Sequence, residues 1–425
     1  MRFPIILIKG IIMATVLAWL GNAMAQQGSQ NRAQAFARMD GNADGNLVRE
    51  EFRGPPPAFS KMDANGDGVV SQSEFITFVP GQQIPSVMAS PKTSTAPVVQ
   101  RLFIDVHEHL IGIVGGREDY AGAVQAALTN MDQLGVQIML LMPPPQVVGQ
   151  KALYDYDKLA QAILPHQDRF KLLAGGGSLN PMIQEAVKAG KVSPDLEKHF
   201  VAEAEKILKM GAVGFGEMTA EHLSFNSHHP YESAPPDHPL FLKLADIAAT
   251  HGVPIDFHME VAPIDLTLPS QLKSPPNPKI IKANLAGFEK LLAHNRGAKI
   301  IWDHLGWDCL GERTVALMRE LFKKHSNLYV SFRVVASGHH NPSQVENRLE
   351  DSISKTAKSE WIRLIREFPD HFLMGSDEFF LSNKLSRKTH ASTGSTEATI
   401  DLINQLPEDL KKKVGYENAR RIFRF

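Results

Sequence analysis

The sequence predicts an α/β chain: an eight-stranded parallel (β/α) barrel of the triosephosphate-isomerase type, preceded by a small all-α pair of helix–loop–helix units. Three observations carry this reading. Short apolar runs recur from Leu102 to Gly375, separated by stretches with helical periodicity. Histidines and carboxylates stand just past those runs, where barrels of this kind carry their chemistry. Ahead of them, Phe36 to Phe52 and Phe59 to Phe75 repeat one pattern at an offset of 23 residues.

A chain of 425 residues leaves room for one large domain and something smaller. Its 45 basic and 46 acidic residues nearly cancel, which excludes a general attraction to nucleic acid or to an anionic membrane. A small-molecule substrate is the expected partner, and a homo-oligomer is compatible with the composition. The first residues read as a targeting segment. Arg2 and Lys9 carry positive charge, Ile11 to Leu20 is apolar, and Ala23-Met24-Ala25 is a small-x-small cleavage site before Gln26. The apolar stretch is shorter than the roughly 20 residues that span a bilayer. Residues 1–25 are therefore expected to be a signal peptide, leaving a periplasmic or secreted protein with no transmembrane segment. Cys309 is the only cysteine, so a monomer forms no internal disulfide and stability must come from the core and from metals.

The repeat spans residues 32–79. In its first copy Asp40, Asn42 and Asp44 take loop positions one, three and five, Gly45 makes the sharp turn at six, and Glu51 sits at twelve. The second copy has Asp63, Asn65, Asp67, Gly68 and Glu74. Calcium takes about six to eight oxygen ligands, and this spacing supplies three side-chain oxygens, a backbone carbonyl at Asn46 or Val69, and a bidentate glutamate. Ser71 at position nine can ligate or hold a water whereas Val48 cannot, so the second loop is expected to bind more tightly. The phenylalanines and methionines read as packing, and Leu47 and Val70 at position eight as a short strand pairing the loops. With Pro55-Pro56-Pro57 between them, the loops resemble an abbreviated bacterial EF-hand pair, for which a structural or docking role is expected. Residues 80–100, rich in Pro, Ser, Thr and Gln, read as a linker.

Residues 101–425 hold the barrel. The expected strands are Leu102 to Val106, Gln137 to Met142, Phe170 to Ala174, Ala212 to Gly216, Val253 to Phe257, Ala298 to Trp302, Leu328 to Val334 and Phe372 to Gly375. His107 and His109 follow the first, Glu217 the fourth, His258 the fifth, His304 the sixth and Asp377 the eighth. His107 and His109 are two apart on extended chain, so both imidazoles face the axis and can clasp one divalent ion. Asp377 can complete that site and take a proton from metal-activated water. His258 and His304 supply nitrogen to the same ion or to a second, and Glu217 can bridge two. Residues 218–239, with His222, His228 and His229, read as a loop over the site whose histidines are polar loop groups. Arg333 alternates with Ser331 and either clamps a substrate carboxylate or forms a salt bridge at the rim. Trp302 and Trp307, flanking His304, read as packing.

Ile104-Asp105-Val106-His107-Glu108-His109 resembles the opening motif of the amidohydrolase superfamily. Gly216-Glu217, Ile255-Asp256-Phe257-His258, Asp303-His304, Gly375-Ser376-Asp377 and Glu417-Asn418-Ala419-Arg420 are similar to its amidohydrolase-related branch, family 2, a likeness running from Leu102 to Phe425. The resemblance implies metal-dependent hydrolysis of an amide, ester or lactone, although relatives in the branch include non-oxidative decarboxylases. It implies zinc or another divalent transition metal, as one or two ions. It also implies that His107, His109 and His258 are metal ligands, His304 a ligand or catalytic acid, and Asp377 both ligand and base. Glu217 stands where many members place a carboxylated lysine, which leaves the metal count open. The expected protein is thus an exported metal-dependent hydrolase with a calcium-binding module. The alternatives are a decarboxylase on the same barrel and a calcium-dependent attachment protein whose barrel is inactive; the full set of strand-end ligands speaks against the last.

Overall fold

A computed structural model of the chain describes residues 35–41, 45–49, 51–52, 58–59, 62–63, 69–71, 75, 78, 102–147, 154–225, 230–272, 276–335, 347–385 and 394–425. The expected signal peptide and linker lie outside the described residues, as do Asn42, Asp44, Asn65, Asp67, Glu74, His228 and His229. The chain divides into two units, Met1–Thr95 and Ala96–Phe425.

In the first unit, Asn46–Leu47 pairs antiparallel with Val70–Ser71 in the register Asn46 to Ser71 and Leu47 to Val70. The expected strand between the loops is present. Leu47 and Val70 are fully buried, packed among Phe36, Phe52 and Phe59. The phenylalanines meet edge to face, Phe36 on Phe75 at 5.6 Å and Phe52 on Phe59 at 5.4 Å, the geometry that their ring quadrupoles favour. Gly45 has φ +82°, the left-handed turn for which glycine is suited.

In the second unit, eight parallel strands close into a barrel. They are β1 (Phe103–Ile111), β2 (Val136–Leu141), β3 (Phe170–Gly175), β4 (Gly214–His222), β5 (Pro254–Met259), β6 (Lys299–Leu305), β7 (Leu328–Phe332) and β8 (Phe372–Met374). Each pairs with the next, β4 pairs with β5, and β8 returns to β1, so no edge is left. Helices between strands start and stop on local signals. Helix Pro194–Lys209 has Ser193 accepting from the Leu196 amide at 3.2 Å, proline in its first turn, acids early and lysines late, an order that suits the helix dipole. Its buried face, Phe200, Ala204 and Ile207, has helical spacing and rests on the main core between strands and helices.

A second core fills the barrel floor. Ile104, Val106, Leu140, Leu173, Ile301 and Leu373 pack against Ala419, Ile422 and Phe423 of the C-terminal helix Asn418–Phe423. Asn418 ties that helix to the barrel by donating to the carbonyls of Pro369 and Phe372, both at 2.9 Å. The filled floor leaves the opposite, C-terminal end of the strands for polar groups.

Several expected boundaries are corrected: β5 runs on to Met259 and β6 to Leu305, so His258 and His304 lie within strands. β1 runs to Ile111 and β4 to His222, so His107, His109 and Glu217 lie within strands rather than past their ends. β1 continues because Glu378–Leu381 pairs beside it, and β4 because Glu232–Ser233 does. Residues 218–222 are therefore strand rather than loop.

Candidate metal centre

The register of β1 against β2 slips between Asp105 and Glu108. Strict alternation is broken there: Ile104 and Val106 join the floor core, while His107 and His109 bring their Nε2 atoms within 3.1 Å of each other. Behind each ring stands an acceptor. His107 Nδ1 lies 3.1 Å from Asp256 Oδ2 of β5 and 3.7 Å from Asp303 Oδ1 of β6. His109 Nδ1 lies 2.9 Å from the Met142 carbonyl. A carbonyl can only accept, so His109 donates through Nδ1, and its neutral ring carries a lone pair on Nε2. The same logic applies to His107 against a carboxylate. Two nitrogens 3.1 Å apart need a proton or a cation between them, and with both rings neutral this pair fits a metal ion.

Carboxylates complete the ring of donors. Glu217 Oε2 is 3.4 Å from His109 Nε2 and 3.7 Å from His107 Nε2. Its other oxygen, Oε1, is 2.7 Å from His258 Nδ1 and 3.6 Å from His304 Nε2. Asp377 Oδ1 is 3.2 Å from His109 Nε2, and Oδ2 is 2.5 Å from Arg333 Nη1. The sets His107–His109–Glu217 and Glu217–His258–His304 each offer donor atoms within 4.8 Å of one another, and they share Glu217. His107, Asp303 and His304 make a third such set.

His304 and Asp377 have φ of 60° and 54°. A left-handed backbone costs such residues of order 1–3 kcal/mol, a strain that turns both side chains inward at the ends of their strands.

Electrostatics follow from burial. It would raise the Glu217 acid, but hydrogen bonds from His107, His109, His258 and His304 outweigh it and hold the carboxyl well below its usual range. Burial likewise opposes ionisation of Asp377, but Arg333 and His304 keep it below the ordinary carboxylate range. Burial works against a charged His107, yet Asp256 and Asp303 raise its pKa well above the usual value. His304 is pushed down to about 4 by burial, only partly opposed by Asp377.

Arg333 also stacks over Trp307, 4.4 Å from guanidinium carbon to ring centroid. It therefore forms the salt bridge expected as one of its two roles. Trp302 is fully buried, with Nε1 donating to the Met259 carbonyl at 2.8 Å, a packing role as expected. His222 rests on the His258 ring at 4.6 Å.

The amidohydrolase family model matches residues 185–425, more than half of the chain. The chain belongs to the amidohydrolase family. An EF-hand model matches residues 57–79. Among solved structures, the chain is similar to amidohydrolase 2 from Bifidobacterium longum subsp. infantis, at 12% identity and a TM-score of 0.38, covering 76% of this chain and 98% of that one. It is also similar to a dihydroorotase from Campylobacter jejuni, at 15% identity and a TM-score of 0.39, covering 76% and 83%. Likeness at that level does not bear on activity. No curated protein matches the chain. In this amidohydrolase the family match holds Glu217, His258, His304 and Asp377 but begins after His107 and His109, which geometry alone brings to the same centre. Asp256 and Asp303 went unassigned in the sequence; their signal is an acid one or two residues before a histidine, repeated in Asp105-Val106-His107, Asp256-Phe257-His258 and Asp303-His304.

Proposed function

We propose that the barrel hydrolyses an amide, ester or lactone bond of a small molecule, using divalent transition metal held by His107, His109, Glu217, His258, His304 and Asp377. The observation that carries this is the pair of Nε2 atoms aimed at one point by acceptors behind each ring. The two oxygens of Glu217 face different histidine pairs, so the site would offer donors to one or two ions. Zinc or a similar ion would supply Lewis acidity for the scissile carbonyl and a water acidic enough to act near neutral pH.

The side chains supply the rest. Asp377 stays ionised beside Arg333 and accepts the proton that the attacking water gives up; it then returns that proton to the leaving atom. His304 lies within reach of both Glu217 and His107 and serves as a ligand. Asp256 and Asp303 hold the His107 ring. Decarboxylation on the same barrel is the second reading, favoured by one observation: a guanidinium at the centre, suited to a carboxylate.

The N-terminal unit would hold calcium in its two loops. Asp40 Oδ2 accepts from the Gly45 amide at 3.0 Å, and Glu51 accepts from the Gly41 and Val48 amides, each at 3.2 Å. These bonds draw positions one and twelve of the first loop together, which supports calcium binding. Residues 1–25 support export to the periplasm or beyond. No helix among the described residues is long and apolar enough to cross a membrane.

The test is metal analysis of purified protein before and after treatment with a calcium-selective chelator, alongside a panel of small esters, lactones and amides. Transition metal should survive the chelator, and at least one class should be cleaved. A folded protein that takes up no transition metal would sink the proposal.

A further inference from the structure

The centre is lined by imidazoles and acids, and against them Arg333 is a cation with unused donors. Its Nη1 is spent on Asp377 Oδ2, the oxygen turned away from His107 and His109. Its face is covered by Trp307. Its Nε is buried and meets no acceptor among the described residues. A buried guanidinium N–H without an acceptor is costly to keep, and a planar fork of donors matches a planar oxyanion. Arg313 stacks on Trp302 and gives its two terminal nitrogens to the carbonyls of Trp302 and Asp303, although its Nε likewise meets no acceptor among the described residues, so it is Arg333's place beside Asp377 that sets it apart. Arg333 follows directly on β7, at the end of the barrel where the metal donors converge. Its place beside Asp377 puts any bound anion close to the reacting carbonyl.

We propose that Arg333 recognises a carboxylate on the substrate, so that the barrel acts on small acids carrying the reactive group near that carboxylate. This rests on the hydrolytic reading of the metal centre. Under the decarboxylase alternative, the carboxylate held by Arg333 would be the group that leaves or its neighbour.

The test separates Arg333 from the metal as the anion's partner. Full-length protein loaded with zinc is titrated calorimetrically with glutaramate, which has one carboxylate, and with glutaramide, its uncharged isostere. The same titrations are made on Arg333→Gln and Arg333→Lys, with bound zinc and melting temperature recorded for each. A charge-assisted pair predicts that glutaramate binds wild type about ten- to a hundredfold more tightly than glutaramide. The preference should fall to within about twofold in Arg333→Gln and stay partial in Arg333→Lys, which keeps the charge but loses the fork. Should Arg333→Gln not fold, loss of most of the preference in Arg333→Lys supports the proposal and full retention overturns it. An equal preference in wild type and Arg333→Gln overturns it too, assigning the anion to the metal. Protein without bound zinc that still prefers glutaramate through Arg333 would separate a failure of the hydrolytic reading from a failure of this one.

Discussion

Asp256→Asn tests whether His107 is held as a ligand from behind. Both oxygens of Asp256 lie 3.1 Å from His107 Nδ1, and the carboxylate is fully buried. Asparagine keeps one acceptor but loses the charge, and its amide group, if turned to the ring, would oppose the Nδ1 proton. Losing such a partner weakens metal binding by about 10- to 100-fold, or roughly 1.4–2.7 kcal/mol. Asp303 remains at 3.7 Å, so the lower half of that range is expected. The pH dependence has a definite sign. Asp256 and Asp303 raise the His107 pKa against the pull of burial, so metal must displace a proton and wild-type affinity falls as pH falls. With Asp256 neutralised that competition eases, and the gap between variant and wild type narrows toward acid pH. Competition with a chromophoric zinc chelator across a pH series measures both effects. Asp265→Asn, at an exposed pair with Lys282, is the control and should change nothing. An Asp256→Asn affinity within about twofold of wild type at every pH would show that His107 is not oriented through Asp256.

Further predictions concern the acids. Asp377→Asn keeps the shape but loses the basicity, so turnover should drop by about 10² to 10⁴ while some metal stays bound; His107→Ala should lose both, and near-normal turnover in Asp377→Asn would pass the proton-transfer role to His304. Burial raises the Glu232 acid from 4.5 to about 7. Its stabilising contribution is complete below the unfolded value and is lost as pH rises through the folded one, so Glu232→Gln should match wild type in acid and gain roughly 1–3 kcal/mol at about pH 8 by denaturant titration. A constant difference across that range would count against a protonated Glu232. Calcium titration of the full-length protein should give a dissociation constant of about 10⁻⁵ to 10⁻³ M, weakened more by Glu74→Gln than by Glu51→Gln; calorimetry detecting no uptake would refute a calcium-binding module.

The barrel was legible because each strand is an apolar run, and such runs survive in one dimension. Strand ends were not, because Ile111 and His222 stay in strand by pairing with Leu381 and Glu232, partners that the local pattern does not announce. The donors were legible for a similar reason: each sits beside its strand's apolar run. Their supports were harder to see. His107 and Asp256 are 149 residues apart, and Arg333 and Asp377 meet only because β7 and β8 are neighbours. What sequence could not weigh in Arg333 was whether its partner would use all of its donors.

The C-terminal helix that fills the barrel floor has a consequence for how the protein is made. Ile422 and Phe423 are made after all eight strands, yet they pack against β1, which begins at Phe103. Lys299 waits for them as well, donating to the Ile422 carbonyl at 2.7 Å. The barrel cannot seal until that helix has been made. Until then its apolar underside remains open to chaperones, and a chain that stops short of Ile422 keeps it exposed.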